Sequence, residues 1–351
     1  MPDLAVVGGV DTHKHTHHAA VLGADGTLIA SQEFQATTDG HQELVAWLLS
    51  HGDIAAVGVE GTGSFGAPVA RHLEAHQVRV IEVNRPNREA RRRQGKSDSL
   101  DAEQAARAVL AGTATATPKS KNGTVEVIRM LRIARNTAVK SRTQAMNAIH
   151  SIIVTAPDAL RDELLGLSKR RLVRRCQHLE SHADLVHRHG EPDAVLAGTT
   201  TALRVLSDRW AMLDIEIKRL DQELEALVQV IAPDLCALHG VGIEIAAQML
   251  ITAGDNHHRL SNEAAFARLC GVAPQPASSG RTSGRHRLSR GGDRAANSAL
   301  YLVVITRLRR HEATRTYVER RTAEGLSKRE IIRCLKRYVA REIYNALPAT
   351  G

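Results

Sequence analysis

Apolar positions in the first hundred residues come in short runs broken by polar turns. LAVVGGVD (4–11), HHAAVLG (17–23) and TLIASQEF (27–34) have the length and β-branched content of strands, with the turn ADG between the second and third. These three are close enough in sequence to form an antiparallel meander. GHQELVAWLLSHG (40–52) changes period, placing Leu44, Trp47 and Leu48 on one helical face. IAAVGVE (54–60) predicts a fourth strand, GAPVARHLEAHQ (66–77) a helix, VRVIEV (78–83) a fifth strand and residues 98–112 a helix. Three antiparallel strands followed by α/β crossovers is the expected order.

Beyond residue 119 the strand signals vanish, and long segments rich in Arg, Lys, Leu and Ala take over. Within 203–231, apolar residues fall at Leu203, Leu206, Trp210, Leu213, Ile217, Leu220, Leu224, Leu227 and Ile231. Steps alternating between three and four are the mark of a coiled-coil seam, which predicts a partner helix and self-association; the plainer alternative is an amphipathic helix packed within its own domain. From 233 the texture changes again: HGVGIEIAAQML (239–250), a Gly/Ser/Arg-rich stretch (278–294), then two basic helices. The expected organisation is an α/β domain over 1–118, a helical oligomerisation region over 119–232 and a mainly α domain over 233–351.

Composition narrows the partners. The 351-residue chain carries a formal charge of +9 with its 18 histidines counted neutral, which points to a polyanion. No apolar run approaches a membrane span, so nucleic acid is expected rather than a membrane. Aromatic residues are only 3% of the chain, which disfavours a single-strand binder built on base stacking. Cys176, Cys236, Cys270 and Cys334 lie far apart with no CxxC pair, so they read as buried hydrophobes in a reducing cytoplasm.

The chemistry concentrates at strand and helix ends. Asp11 ends the first strand and Glu60 the fourth, while Asp98 and Asp101 stand one turn apart at a helix start. Four carboxylates converging on one crevice need cations, and hard oxygen ligands suit Mg²⁺ or Mn²⁺. Each has a plainer alternative: Asp98 as a helix N-cap, Asp101 as an acid favoured by the helix dipole, Glu60 as a turn residue. Beside them RPNREARRRQGK (85–96) supplies Arg88, Arg91, Arg92, Arg93 and Lys96 as a phosphate-binding approach, or simply a solvated face. GVDTHKHTHH also holds His13, His15, His17 and His18, which suggests a zinc-type site as a rival. Strand alternation would send His13, His15 and His17 to one face and His18 to the other, where they could line a nucleic-acid groove.

In the last region, Gly240 and Gly242 permit a tight helix–turn–helix whose backbone N–H groups could face a phosphate. GVAPQPASSGRTSGRHRLSRGGDR (271–294) reads as a phosphate-binding or solvated basic loop that includes Arg281, Arg285 and Arg287.

GVDTHK (9–14), VEGTGSFG (59–66), VNRPNREAR (83–91) and KSDSLDA (96–102), in that order and spacing, resemble the DEDD-type transposases of bacterial insertion sequences. His15 departs from the commonest form, where many relatives carry Asp. The resemblance implies an RNase H-like, RuvC-like N-terminal domain, which the strand order also suggests; HGVGIEIAAQML (239–250) itself resembles a helix-hairpin-helix, with a plain inter-helix turn as the alternative. It implies a tetrad of Asp11, Glu60, Asp98 and Asp101 holding Mg²⁺, or Mn²⁺. It further implies a catalytic serine: Ala273-Pro274, Ser279-Gly280, Arg287-Leu288-Ser289 and Gly292 fit the family register, so Ser279 is the matching residue, with Ser278 as the alternative. Strand exchange through a covalent phosphoserine link is the implied reaction. Donor and target DNA, a structured guide RNA and a dimer-to-tetramer assembly in the bacterial cytoplasm, at the nucleoid, are the implied partners and setting. The rivals are a hydrolytic junction endonuclease, a non-enzymatic nucleic-acid-binding protein and a histidine-rich metal store.

Overall fold

The computed structural model describes residues 5–83, 97–180, 190, 193–276, 286–288 and 291–348. They divide into two compact units. One holds the chain up to Gly123 together with Ala253–Phe266; the other holds Thr124–Thr252 and Ala267–Pro348.

The first unit is built on a five-stranded mixed sheet. Strands β1 (Val6–Thr12), β2 (Thr16–Leu22) and β3 (Leu28–Gln35) form the antiparallel meander, and β4 (Ile54–Glu60) and β5 (Val80–Val83) add in parallel, giving the order β3-β2-β1-β4-β5. Helices α1 (Thr38–Leu49) and α2 (Ala67–Ala75) make the crossovers. Strand alternation divides the core between two faces. Val10, Val57 and Val59 meet Leu44, Leu48, Val69 and Leu73 of α1 and α2, while Val7 and Leu22 meet Ala106 of α3 (Asp98–Leu110).

The α3 face is sunk unusually deep. Gly9 and Gly58 are neighbours in the β1–β4 register. A Cβ on Gly9 would lie 2.1 Å from the Ala102 carbonyl oxygen, and one on Gly58 2.7 Å from that of Ala105. Ala102, Ala105 and Ala106 complete the contact from the helix side, all at 1% exposure or less. Two glycines on the sheet and three alanines on the helix therefore let the backbones approach closely. That approach carries the start of α3 to the end of β1.

The second unit is helical. Its long helices α4 (Thr124–Val154) and α7 (Ala194–Ile231) pack side by side, with α5 (Asp158–Leu164) and α6 (Lys169–Gln177) against one end. Of the nine seam residues expected of a coiled coil, Leu203, Ile217 and Leu224 are buried and the other six are half-buried. Leu203 joins Met146, Ile149 and Ile153 of α4 in one core, and Ile217, Leu224 and Val228 are buried further along. The helix against α7 thus belongs to the same chain, and α7 begins nine residues before the seam does. Arg135–Asp221 and Arg142–Asp214 ion pairs tie the two helices along their edges.

After α8 (Pro233–Ala237) a turn leads into α9 (Ile243–Ala253). Gly240 sits at φ +82°, a conformation that favours glycine. The buried Arg307 guanidinium donates to the His239 carbonyl at 2.8 Å and pairs with Glu342 at 2.7 Å. It thereby ties the turn to α11 (Arg294–Arg310), its own helix, and to α13 (Lys328–Asn345); α12 (Glu312–Ala323) lies between these in sequence. The chain also passes through α10 (Glu263–Leu269). A short antiparallel ladder, β6 (Pro274–Pro276) with β7 (His286–Leu288), interrupts the otherwise helical C-terminal part.

Candidate metal centre

Asp11, two residues along from Gly9, shares the face on which α3 lies. It is 5% exposed, so its carboxylate is largely withdrawn from water. Helix α3 starts at Ser97, whose hydroxyl accepts from the Leu100 N–H at 3.3 Å. Ser97 is therefore the N-cap, the role considered for Asp98 on sequence grounds, and the Asp98 carboxylate is left for other partners. One turn on, Asp101 is buried at 1% exposure.

Between the two acids stands His13. Its Nε2 lies 3.2 Å from Asp11 Oδ2 and 3.3 Å from Asp98 Oδ1. Asp11, His13 and Asp98 offer ligand atoms that all lie within 4.8 Å of one another, and they form the one such group among the described residues. Asp11 Oδ2 and His13 Nε2 are both buried without a hydrogen bond. Burial pushes the Asp11 carboxyl above the usual carboxylate range; His13 opposes this, while Asp101 and Asp98 add to it. The buried Asp11 carboxylate and the half-exposed His13 imidazole, each with an atom that makes no hydrogen bond, stand beside two further acids and suit a divalent cation. The residues present therefore fit a metal.

Glu60 ends β4 beside the end of β1, and alternation from Gly58 puts it on the α3 face. Gly61, at φ +67°, then turns the chain away. The Thr12 hydroxyl donates to the Glu60 carbonyl at 2.8 Å, and Lys121 Nζ donates to the Gly63 carbonyl at 2.7 Å, which fixes the turn. The Glu60 and Asp101 oxygens are not among the ligand atoms that converge with His13.

The histidine string divides differently from the strand-alternation expectation. Because β2 starts at Thr16, His13 and His15 belong to the turn and do not follow the alternation. His17 faces the opposite side of the sheet from His13. It is 1% exposed, and its Nε2 lies 3.1 Å from His41 Nε2 of α1. His18 opposes Asp11 in the ladder and reaches the Ser31 hydroxyl at 2.8 Å. The sequence signal for His13 was its place two residues after a strand-end carboxylate; its reach across to Asp98 required the packing of α3.

Arg88, Arg91, Arg92, Arg93 and Lys96 lie outside the described residues, as do Ser278, Ser279, Arg281, Arg285 and Ser289. Arg287 lies on β7. Around that loop, Asp293 Oδ1 caps α11 through the Ala295 and Ala296 N–H groups, and its Oδ2 accepts from the Thr252 hydroxyl at 2.7 Å. Asn297 donates to the Cys270 and Gly271 carbonyls and accepts from Lys336 Nζ at 2.8 Å. The two flanks of the serine loop are thus anchored to the same helix, α11.

Residues 8–156 match a family profile described as a transposase of the DEDD, IS110 type, and residues 232–319 match one described as the transposase IS116/IS110/IS902 family. The chain belongs to the IS110 transposase family. Over 147 residues it is 30% identical to a 43.6 kDa protein of insertion element IS110 from Streptomyces coelicolor, covering 42% of this chain and 35% of that relative. Over 95% of its length it is 24% identical to a 42 kDa protein of insertion element IS900 from Mycobacterium paratuberculosis, spanning 93% of that protein. The stretch between the two profiles, 157–231, is matched by neither. No helix among the described residues is long and apolar enough to cross a membrane.

Proposed function

We propose that the chain is the transposase of an insertion element, cutting and rejoining DNA strands at a site formed by Asp11, Glu60, Asp98 and Asp101 with His13 beside them. The observation that carries the reading is the buried Asp11 carboxylate, whose Oδ2 makes no hydrogen bond and lies 3.2 Å from His13 Nε2, beside the start of α3. Asp11, His13 and Asp98 would hold a divalent ion, Mg²⁺ or Mn²⁺, with Glu60 and Asp101 at hand. Such an ion supplies charge neutralisation at a reacting phosphodiester. The chain's own part is to fix the ligands on a rigid sheet end and to keep Asp11 out of bulk water.

Ser279 is the proposed nucleophile, its hydroxyl attacking the scissile phosphorus to form a phosphoserine ester and release a 3′-hydroxyl strand end. Reversal of that step with an exchanged strand rejoins the backbone without net hydrolysis. The motif register around Ser279 supports this assignment, and Ser278 is the alternative. The proposal extends to a guide RNA, to assembly as a dimer or tetramer, and to phosphate contacts by the 239–242 turn.

The test is to incubate the protein with labelled element-end DNA and Mg²⁺, isolate any covalent adduct and map the linked residue. An adduct on Ser279, lost in Ser279→Ala and in Asp11→Asn, is the expected result. Undiminished cleavage by Ser279→Ala would replace the covalent mechanism with metal-assisted hydrolysis.

A further inference from the structure

The stretch that neither family profile matches contains a basic helix in which only Arg175 makes an ion pair among the described residues. Helix α6 reads KRRLVRRCQ. Leu172, Val173 and Cys176 are buried and fasten it to the core it shares with α4 and α7. Arg170, Arg171 and Arg174 therefore point outward, and all three are exposed. Arg175 pairs with Glu163, whereas none of those three makes an ion pair among the described residues. Three guanidinium groups with no ion pair among the described residues sit on one nine-residue helix, and an anion lying across them would relieve their mutual repulsion.

A cavity of about 260 Å³ opens at the start of the same helix. Arg142, Asn147 and His150 of α4, Lys169 of α6 and Trp210 of α7 line it, and no carboxylate does. Arg142 is held in place by Asp214 and lies 5.6 Å from the centroid of the Trp210 ring. Ser168, the N-cap of α6, makes no side-chain hydrogen bond to the helix, so its first N–H groups are left for another acceptor. Residues able to donate hydrogen bonds thus line this pocket from three helices, continuous in sequence with the arginine row.

We propose that this cavity seats a backbone phosphate of a nucleic acid, with the flanking phosphates running over Arg170, Arg171 and Arg174. The chain would then hold nucleic acid through its helical unit as well as at the metal centre. This rests on the reading that the protein acts on nucleic acid. A phosphodiester can come from DNA or RNA, and arginine and lysine donors serve both.

Trp210 is one of only two tryptophans, the other being Trp47, so the full chain carries its own reporter. The experiment titrates wild-type protein with DNA and RNA oligonucleotides of one sequence, following tryptophan emission alongside anisotropy of the labelled strand. Expected is a change in emission that Trp210→Phe abolishes while anisotropy still reports binding; the strand type that produces it identifies the source. The variant Arg170→Gln/Arg171→Gln/Arg174→Gln should bind at least tenfold more weakly near physiological salt. Its plot of log affinity against log salt should be shallower by about 2 to 3 for duplex DNA. These arginines are exposed, so an unchanged melting curve is expected and separates lost contact from lost fold. Binding by the triple variant with wild-type affinity and slope overturns the inference, as does an equal emission change on adding polyglutamate. Failure of the wild type to bind any nucleic acid overturns the functional reading itself.

Discussion

The two faces of the sheet both hold histidines from one short string, GVDTHKHTHH, yet treat them in opposite ways. On the α3 face, His13 stands between Asp11 and Asp98, surrounded by acids. On the other face, His17 meets His41, with their rings 13° from parallel and His72 following at 5.0 Å from His41. Burial, with His17, His72 and Arg71 nearby, lowers the His41 pKa to about 4, and burial also lowers that of His17. Both rings are thus neutral at physiological pH, one donating to the other. Residue type therefore did not decide the role. The neighbouring helix did, by bringing carboxylates to one face and imidazoles to the other.

The sharpest way to break this comparison is at Asp11. Asp11→Asn keeps the shape and removes the charge; on the proposed role of Asp11 as a metal ligand, strand cleavage in the adduct assay should fall by about a thousandfold or more. His17→Leu/His41→Leu, on the other face, should leave cleavage near the wild-type rate. Equal loss in both would show that the α3 face is not the special one.

Next in size is the approach of α3. Gly9→Val puts side-chain atoms where the Ala102 carbonyl and the Ala106 backbone already are. Neither of these is a flexible side chain that can swing aside, so the helix must lift. A cost of about 3 kcal/mol, at the upper end for overpacking, is expected in urea unfolding, together with loss of cation binding. Val7→Ile, on the same face but away from the glycine pair, is the control and should cost less.

The sheet order was legible because each run in the first 83 residues is short, regular and bounded by turns. Asp11 and Asp98, which the fold brings together, were legible as candidates through the motifs around them and their positions at element ends; Glu60 and Asp101 were named with them, and their oxygens do not join that group. His13 was not, because its role depends on the depth to which α3 sinks, and that depth follows from Gly9, Gly58 and three alanines acting together. Nor was the partner of α7 legible. A three-four seam states that a helix must pack against it, and says nothing about which chain supplies that helix. The burial of Leu203 against Met146 and Ile149 supplies that answer within one chain.

The histidine pair gives a pH signature of intermediate size. A base whose pKa is lower folded than unfolded binds protons more readily in the unfolded chain. The stability owed to neutral His41 is therefore fully present above about pH 6.5, where both states are neutral. It is lost as pH falls toward about 4, by up to roughly 3 kcal/mol. The double variant His17→Leu/His41→Leu removes both rings together, so no buried donor is left unpaired. Urea melts at pH 7 and pH 5 should show a smaller drop for the variant than for the wild type. An identical drop would place the acid sensitivity elsewhere.

The smallest expected effect asks whether His13 is a ligand or merely a neighbour. If it contributes to cation binding, His13→Ala should weaken Mg²⁺ or Mn²⁺ affinity by about tenfold, a loss on the scale seen when groups supporting a metal site are removed. Affinity can be read without any DNA, from the rise in melting temperature with added ion. At a hundred times its dissociation constant, a ligand stabilises the folded state by about 2.7 kcal/mol. The wild type should show that gain, His13→Ala should need about ten times more ion to reach it, and Asp11→Asn should fail to reach it. His17→Ala makes the comparison between faces quantitative. It lies four residues from His13 in the same string, yet it should leave the ion dependence unchanged even though it lowers stability. Parallel shifts for His13→Ala and His17→Ala would mean that the histidines act only through the fold, leaving the ion to the carboxylates.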